Sequence, residues 1–388
     1  MRWIDNGQGM LRKNLSGDAA FYSFVPTPLE NVVPLTIDDE TVRLVAACSR
    51  KIGELEGMVR FVPNAQMYLT MYVRKEALLS AQIEGTQCTF DDILDPDNIP
   101  ALQKDIADVV NYVAAVEYAV QCLDDLPLCM RLLKEVHAKL LTNVRGGEKS
   151  PGEVRTSQNW IGPAGSGLKD AAYVPPNPDD MHDALHKLEM FINGEHAVDP
   201  IVKAALVHYQ FETIHPFLDG NGRLGRLLIT LSLMNDGVLA KPLFYPSYQL
   251  KLRRSEYYEH LMAVRERGLY AEWVKFFCTC LLAAAEDAVE ALDDLVRLHV
   301  HNVGLINGQM GRSSANGQRL LALLEKNPIL DVGFVSSQLD VSRTTAANLI
   351  REFERLGIVV QRAEEKQRYR MYLYEGYLAI LRQGGDPL

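Results

Sequence analysis

No pair of cysteines in this chain has C-x-x-C spacing; the six, Cys48, Cys88, Cys122, Cys129, Cys278 and Cys280, are scattered. That pattern indicates neither a structural zinc site nor a disulfide framework, and reduced thiols fit best. Positive charge is not in excess either, since the formal net charge is -10. An acidic balance argues against wholesale electrostatic binding to nucleic acid, although a local basic face remains open. No run approaches the apolar length of a membrane span, and Met1 to Asn14 has no apolar core of signal-peptide length. The expectation is a soluble, cytoplasmic protein with no membrane partner. Internal repeats and low-complexity tracts are absent, as is any G-x-x-x-x-G-K-[ST] phosphate loop.

What is present is helical period. With 47% hydrophobic residues the chain can fill two or three packed domains. After a polar, proline-punctuated start, helices are expected from near Asp38 through "ETVRLVAACSRKIGELEGMV", and from Pro63 to Gly85 in "NAQMYLTMYVRKEALLSAQIE". "DDILDPDNIP" reads as a loop, followed by helices in "DIADVVNYVAAVEYAVQCL" and "CMRLLKEVHAKLLTNV". Between Arg145 and Pro178 the period stops, and the glycines and prolines there predict a long loop with a small hairpin. A loop of that length inside a helical domain is more often functional than idle.

Helices return with "MHDALHKLEMFIN" and "IVKAALVHYQFETI", the second running into "HPFLDGNGRLGR", His215 to Arg226. Gly220-Asn-Gly-Arg-Leu-Gly225 matches a dinucleotide fingerprint formally, but that fingerprint follows a strand, and here a helix precedes it. A helix–turn–helix remains, in which Gly220, Asn221 and Gly222 let backbone N–H groups converge at a helix start. Such an end attracts anions through unpaired donors and the helix dipole. Arg223 and Arg226, three apart on the first turn, are placed to reach one anion. Asp219 is a hard oxygen ligand suited to Mg²⁺ on a polyphosphate. His215, with an ordinary pKa near ~6.5, suits removal of a proton from an attacking hydroxyl. Gly220 through Asn221, Gly222, Arg223, Leu224 and Gly225 to Arg226 is the candidate nucleotide-binding segment.

"INGQMGRSSANG" reads as a linker. Beyond it lie three helical segments and two alternating stretches, "IVVQRA" and "YRMYLY", the pattern of a winged helix-turn-helix with Ser342 as N-cap of the recognition helix. From Ser313 to Leu388 ten Lys+Arg meet nine Asp+Glu. Arg343, Arg351, Arg355, Arg362, Lys366, Arg368 and Arg370 form a candidate phosphate-binding face, with protein docking as the alternative.

"HPFLDGNGRLGR" resembles the signature of the Fic family, H-P-F-x-[DE]-G-N-G-R-x-x-R, at every defined position. The resemblance implies an all-α Fic-type bundle with a small β-hairpin flap and, here, a C-terminal winged helix. The expected divisions are a helical region over 1–110, a catalytic core over 111–292, a connector over 293–316 and the winged helix over 317–388. The implied activity is transfer of AMP from ATP, with Mg²⁺, to a Ser, Thr or Tyr hydroxyl of a protein. In that reading His215 is the base, Asp219 the Mg²⁺ ligand and Gly220 to Gly222 the anion hole. Arg223 and Arg226 would hold distal phosphates.

"KDAAYVPPNP" resembles the family flap, which puts Tyr173 nearest the nucleotide. "RRSEYYEHL" resembles the adenine-enclosing segment, which makes Tyr257 and Tyr258 candidates, although adjacent helical residues point apart and one of them can be core. Ser80 and Glu84 share a face at a helix end, where the bland reading is a solvated terminus. "SAQIEG" also matches the family's inhibitory motif, [ST]-x-x-x-E-[GN], which implies a Glu84–Arg226 pair that blocks the γ-phosphate. Other readings left open are AMP removal as the main reaction, another phosphate-containing donor, and an ATP-sensing DNA-binding regulator. Family members often dimerise, which makes a homodimer the expected assembly.

Overall fold

The computed structural model describes residues 9–16, 19–60, 65–94, 103–144, 146–163, 165, 167–362 and 370–387. The chain opens on an antiparallel hairpin the sequence did not signal, β1 (Gly9–Asn14) with β2 (Phe21–Pro26), pairing Gly9 with Pro26 and Asn14 with Phe21. Helix α1 (Asp39–Val59) is capped by Asp38, whose carboxylate accepts the Thr41 N–H at 2.7 Å. Its buried stripe Val45, Cys48, Ile52, Leu55 and Val59 has the helical period and faces the long α11 (Tyr270–Gln309). Helix α2 (Ala65–Ile83) ends just before Glu84.

A short helix, α3 (Phe90–Leu94), stands where a loop was expected, because Thr89 and Asp92 bond each other's backbone N–H groups and close its first turn. Residues 95–100 of that stretch lie outside the described residues. Helix α4 (Gln103–Leu123) corrects a second expectation: Lys104–Leu123 is long and apolar enough to cross a membrane. In this fold it packs on α2 and on α5 (Met130–Leu140), and it sends Asp108 into the site described below. Among the described residues of the 145–178 loop the expected hairpin is reduced to its smallest form. A single antiparallel bridge, Ile161 with Tyr173, remains, since Pro175 and Pro176 offer no N–H to extend it.

The remaining helices of this part are α6 (Pro178–Asn193), α7 (Pro200–Ile214), α8 (Asn221–Asn235), α9 (Ser247–Leu252) and α10 (Arg254–Arg267). Helix α7 is apolar and buried almost all round, the mark of a central helix. It packs on α8 and α11, and Trp273 donates its indole N–H to the Ala205 carbonyl at 2.9 Å.

The glycine-bearing stretch 306–317, expected as a linker, is helical on both sides of Met310, which is buried and ends α11. Beyond it come α12 (Ser314–Lys326), β3 (Ile329–Asp331), α13 (Val332–Leu339), α14 (Arg343–Arg355), β4 (Val360–Gln361), β5 (Met371–Leu373) and α15 (Glu375–Arg382). The sheet has three strands, ordered β3-β5-β4 and antiparallel, where two were expected. Ser342 caps α14 as the sequence implies, accepting the Thr345 N–H at 3.1 Å. Arg343, Arg351, Arg355 and Arg370 are exposed and Arg362 is half-buried. Lys366 and Arg368 lie outside the described residues.

Candidate active site

Helix α7 ends at His215, a non-glycine residue held in the left-handed region at φ 52°. Backbone and side chains over-determine that turn. The His215 N–H donates to Phe211, while its carbonyl accepts from Arg155 Nε at 3.0 Å and Asn159 Nδ2 at 3.2 Å. Arg155 is 1% exposed and also donates to the carbonyls of Ser157, Pro176 and Ile214. Burial, with the nearby charges of Arg265 and Arg155, pulls the His215 imidazole down to about 4. It is therefore neutral at pH 7, the form a general base needs.

The turn closes through Asn221, whose amide accepts from the Phe217 N–H at 2.9 Å and donates to the Phe217 carbonyl at 2.8 Å. Gly220 caps α8 in a left-handed conformation at φ 74° that favours glycine. Behind it His137 accepts the Gly152 N–H on Nδ1, donates Nε2–H to the Asp219 carbonyl at 2.9 Å, and stacks 3.8 Å from the Phe217 ring. Arg155, Asn159 and His137 are supports that motif reading misses. They come from loop and helix stretches distant in the chain, and only His137's place among the apolar residues of its helix face hinted at a buried role.

In front of the turn is a cavity of about 180 Å³, lined by Gly220, Asn221, Gly222, His215, Asp219 and Glu84 among others. Glu84 sits over the start of α8 so closely that a Cβ on Gly222 would collide with its carboxylate. Its Oε1 pairs with Arg226 Nη2 at 2.8 Å. Arg226, 1% exposed, also donates from Nε to Ser80 Oγ and from Nη2 to the Ser80 carbonyl, both at 2.9 Å. Burial alone would raise the Glu84 carboxyl; the Arg226 charge and hydrogen bond, with Arg223, hold it below the carboxylate range. The structure thus brings Ser80 and Glu84 onto Arg226, 146 and 142 residues away in sequence.

Arg223 lines the same cavity but is engaged at its base by Asp108 of α4, at 2.9 Å, with Asp219 Oδ1 at 4.0 Å. Asp219 stays ionised: against burial, Lys149 on Oδ2 at 2.9 Å and the Gly220 N–H on Oδ1 keep its pKa low. Among the described residues no group of three His, Cys, Asp or Glu forms a metal cage. One ionised carboxylate at the rim of an anion site fits Mg²⁺, which keeps its waters and takes one or two protein carboxylates plus phosphates.

Four of the residues expected at the nucleotide are packed away from this cavity. Leu224 is wholly buried in the core. Gly225 serves close packing, since a Cβ there would collide with Glu212 of α7, and its carbonyl accepts from His208 Nδ1 at 2.8 Å. Tyr173 is 3% exposed, donates its hydroxyl to the Thr213 carbonyl at 2.7 Å and lies under the Arg265 guanidinium, so it is a strut. Tyr257 is 1% exposed and bonded to His208 Nε2. Tyr258 is the exposed one of the pair, at 40%, and close enough to Glu84 and Arg226 to feel their charges.

Two family models match the chain: "Fic/DOC family N-terminal" over 42–121 and "Fic/DOC family" over 127–233. Residues 127–233 thus resemble the Fic/DOC domain, and residues 42–121 the segment that precedes it in that family. Among curated relatives, proteins named protein adenylyltransferase Fic from Drosophila virilis and Drosophila melanogaster are 33% and 31% identical over 172 residues. Each match covers 44% of this chain, and the chain spans about a third of the length of those relatives, 32% and 31%. A solved Fic family protein from Desulfovibrio desulfuricans G20 shares the fold at TM-score 0.55 and 22% identity, covering 88% of this chain and 97% of its own. A Fic domain containing signaling protein from Bacteroides thetaiotaomicron follows at TM-score 0.51 and 18% identity, over 64% of this chain and 98% of its own.

Proposed function

We propose that this protein is a protein adenylyltransferase that moves AMP from ATP to a Ser, Thr or Tyr hydroxyl, its own included, and is held off by Glu84. The observation that carries the reading is the Glu84 carboxylate on Arg226 and against Gly222, in the place a phosphate would take. With Glu84 displaced, the glycine-lined start of α8 cradles phosphate oxygens, and Arg226 takes the terminal one. The neutral His215 accepts the proton as the target oxygen bonds to the α-phosphorus and pyrophosphate leaves. Asp219 would hold Mg²⁺, which supplies charge neutralisation for the leaving pyrophosphate. Tyr258, at the open side, is the residue offered to adenine, and half-buried or exposed Arg343, Arg351 and Arg362 suit the winged-helix reading of the C-terminal unit. DNA and protein are its alternative partners.

The test incubates wild type, Glu84→Gly and Glu84→Gly/His215→Ala with Mg²⁺ and ATP labelled at the α-phosphate. Label on protein in the Glu84→Gly lane alone is expected. Label in the His215→Ala lane would remove the base assignment. No label anywhere, with a target-rich lysate present, would refute AMP transfer.

A further inference from the structure

The last residues of the chain reach back to the helix end that carries Glu84. Lys251 of α9, 5% exposed, donates from Nζ to Gln82 Oε1 at 2.6 Å, to the Gly384 carbonyl at 3.1 Å and to the Asp386 carbonyl. Gln82, 1% exposed, donates from Nε2 to the Gly385 carbonyl at 2.8 Å and to the Cys88 carbonyl at 2.9 Å. Its own carbonyl accepts the Gly85 N–H at 3.0 Å, so the residue two before Glu84 and the residue after it are fastened together. Arg382 forks onto both oxygens of Asp91 at 2.8 Å, fixing the far side of the same segment. Gly384 lies against the Tyr248 ring at φ 77°, where a Cβ would collide.

We infer that residues 382–386 form a clasp that holds the end of α2 in place and so keeps Glu84 on Arg226. The clasp belongs to the C-terminal unit. That unit is seated on α11 through His299–Glu325 at 2.6 Å and Asn302–Tyr374 at 2.6 Å. A partner that shifts α15 therefore loosens the brake from a distance, and the C-terminal unit is the regulatory input of the nucleotide site. The physical basis is a carboxylate that competes with phosphate for one guanidinium. Its effective concentration there depends on how firmly its backbone is held. The inference rests on reading Glu84 as the brake.

Lys251→Met removes the donor shared by helix and tail, and Gly384→Val ejects the tail by steric clash. Both are made in the full chain, with and without Glu84→Gly. Amide hydrogen exchange over 80–86 and Mg²⁺-ATP affinity by calorimetry are measured. Both single variants are expected to exchange faster at 80–86 and to bind ATP about tenfold more tightly. In the Glu84→Gly background neither substitution is expected to change affinity. Unchanged exchange, faster exchange without an affinity gain, or a gain that persists without Glu84 would each overturn the clasp. If Glu84→Gly itself bound no ATP, the transferase reading would fail instead, and the exchange result alone would decide the clasp.

Discussion

Removing Glu84 exposes a cost that the resting protein hides. Arg226 is 1% exposed, and in Glu84→Gly it keeps, among the described residues, its hydrogen bonds to Ser80 and, nearby, the weakly charged Glu212. Taking one partner from a fully buried pair costs about 3–5 kcal/mol, whereas an exposed pair is worth about 0–1 kcal/mol. The Glu84 side chain is 41% exposed, so water reaches one side of the pair and an intermediate loss of roughly 2 kcal/mol follows. In thermal unfolding of a 388-residue chain that is a fall of about 2–3 °C. The same 2 kcal/mol is what ATP must overcome in the wild type, a penalty of about thirtyfold in affinity. Mg²⁺-ATP at about a hundred times its Kd then returns about 2.7 kcal/mol to the variant. Differential scanning fluorimetry should show Glu84→Gly melting below wild type without nucleotide and at or above it with nucleotide, while wild type hardly moves. A variant that melts no lower than wild type, or equal ATP shifts in both, would refute the argument.

Arg155→Met should raise the His215 pKa from about 4 toward the ordinary 6.5, read by NMR titration of the imidazole; an unmoved titration would show that Arg155 only ties carbonyls together. Stability should peak at about pH 6.5. Burial lowers His137, His208 and His215 to about 4, about 3 and about 4, so their contribution is full above 6.5 and is lost on acidification toward those values. Glu76 and Glu212, raised by burial to about 8 and about 7, contribute fully below 4.5 and lose that contribution as pH rises through those values. Urea midpoints flat from pH 5 to 8, or an alkaline decline kept by Glu76→Gln/Glu212→Gln, would contradict this. Tyr258→Ala should weaken ATP binding by about 1–3 kcal/mol of lost stacking, whereas Tyr257→Phe should lower the melting temperature and leave calorimetric affinity alone.

Residues close in sequence carried most of what could be read. His215, Asp219 and the Gly220–Gly222 turn fall within one helix junction, and spacing places them together without knowledge of the tertiary fold. Glu84 was legible as a pattern, but its position on Arg226 depends on how α2 crosses α8, which no local period encodes. Tyr173 and Tyr257 misled for the opposite reason: a phenol suits a base-stacking surface and a buried strut equally, and only the Thr213 carbonyl and His208 decide. The N-terminal hairpin escaped because β1, GMLRKN, ends in three polar residues and buries none of its six, and β2 uses the Phe24 N–H to grip Val174 across the fold. Helix α4 was legible as a helix, but its apolar window was underestimated, and the purpose of Asp108 within it is visible only beside Arg223.

The site is a pocket of buried cations before it is a pocket for nucleotide. Arg155, Arg223, Arg226 and Arg265 are each 6% exposed or less, and Arg155 and Arg265 bear on the neutral His215 imidazole. Arg155 and Arg265 spend hydrogen bonds on carbonyl oxygens, and Arg265 also lies over the Tyr173 ring. Arg223 has Asp108. Arg226 is different, because burial and the charge of Glu84 lift its second carboxylate neighbour, Glu212, to about 7, while Glu84 itself is held low and stays charged. Without an anion at Gly222 that guanidinium would be under-compensated in a low-dielectric site, which is unfavourable whatever the anion is. Inhibition by Glu84 and binding of phosphate therefore follow from one requirement, that Arg226 always have a full negative charge in front of it. The choice between them is set by how tightly the end of α2 is held.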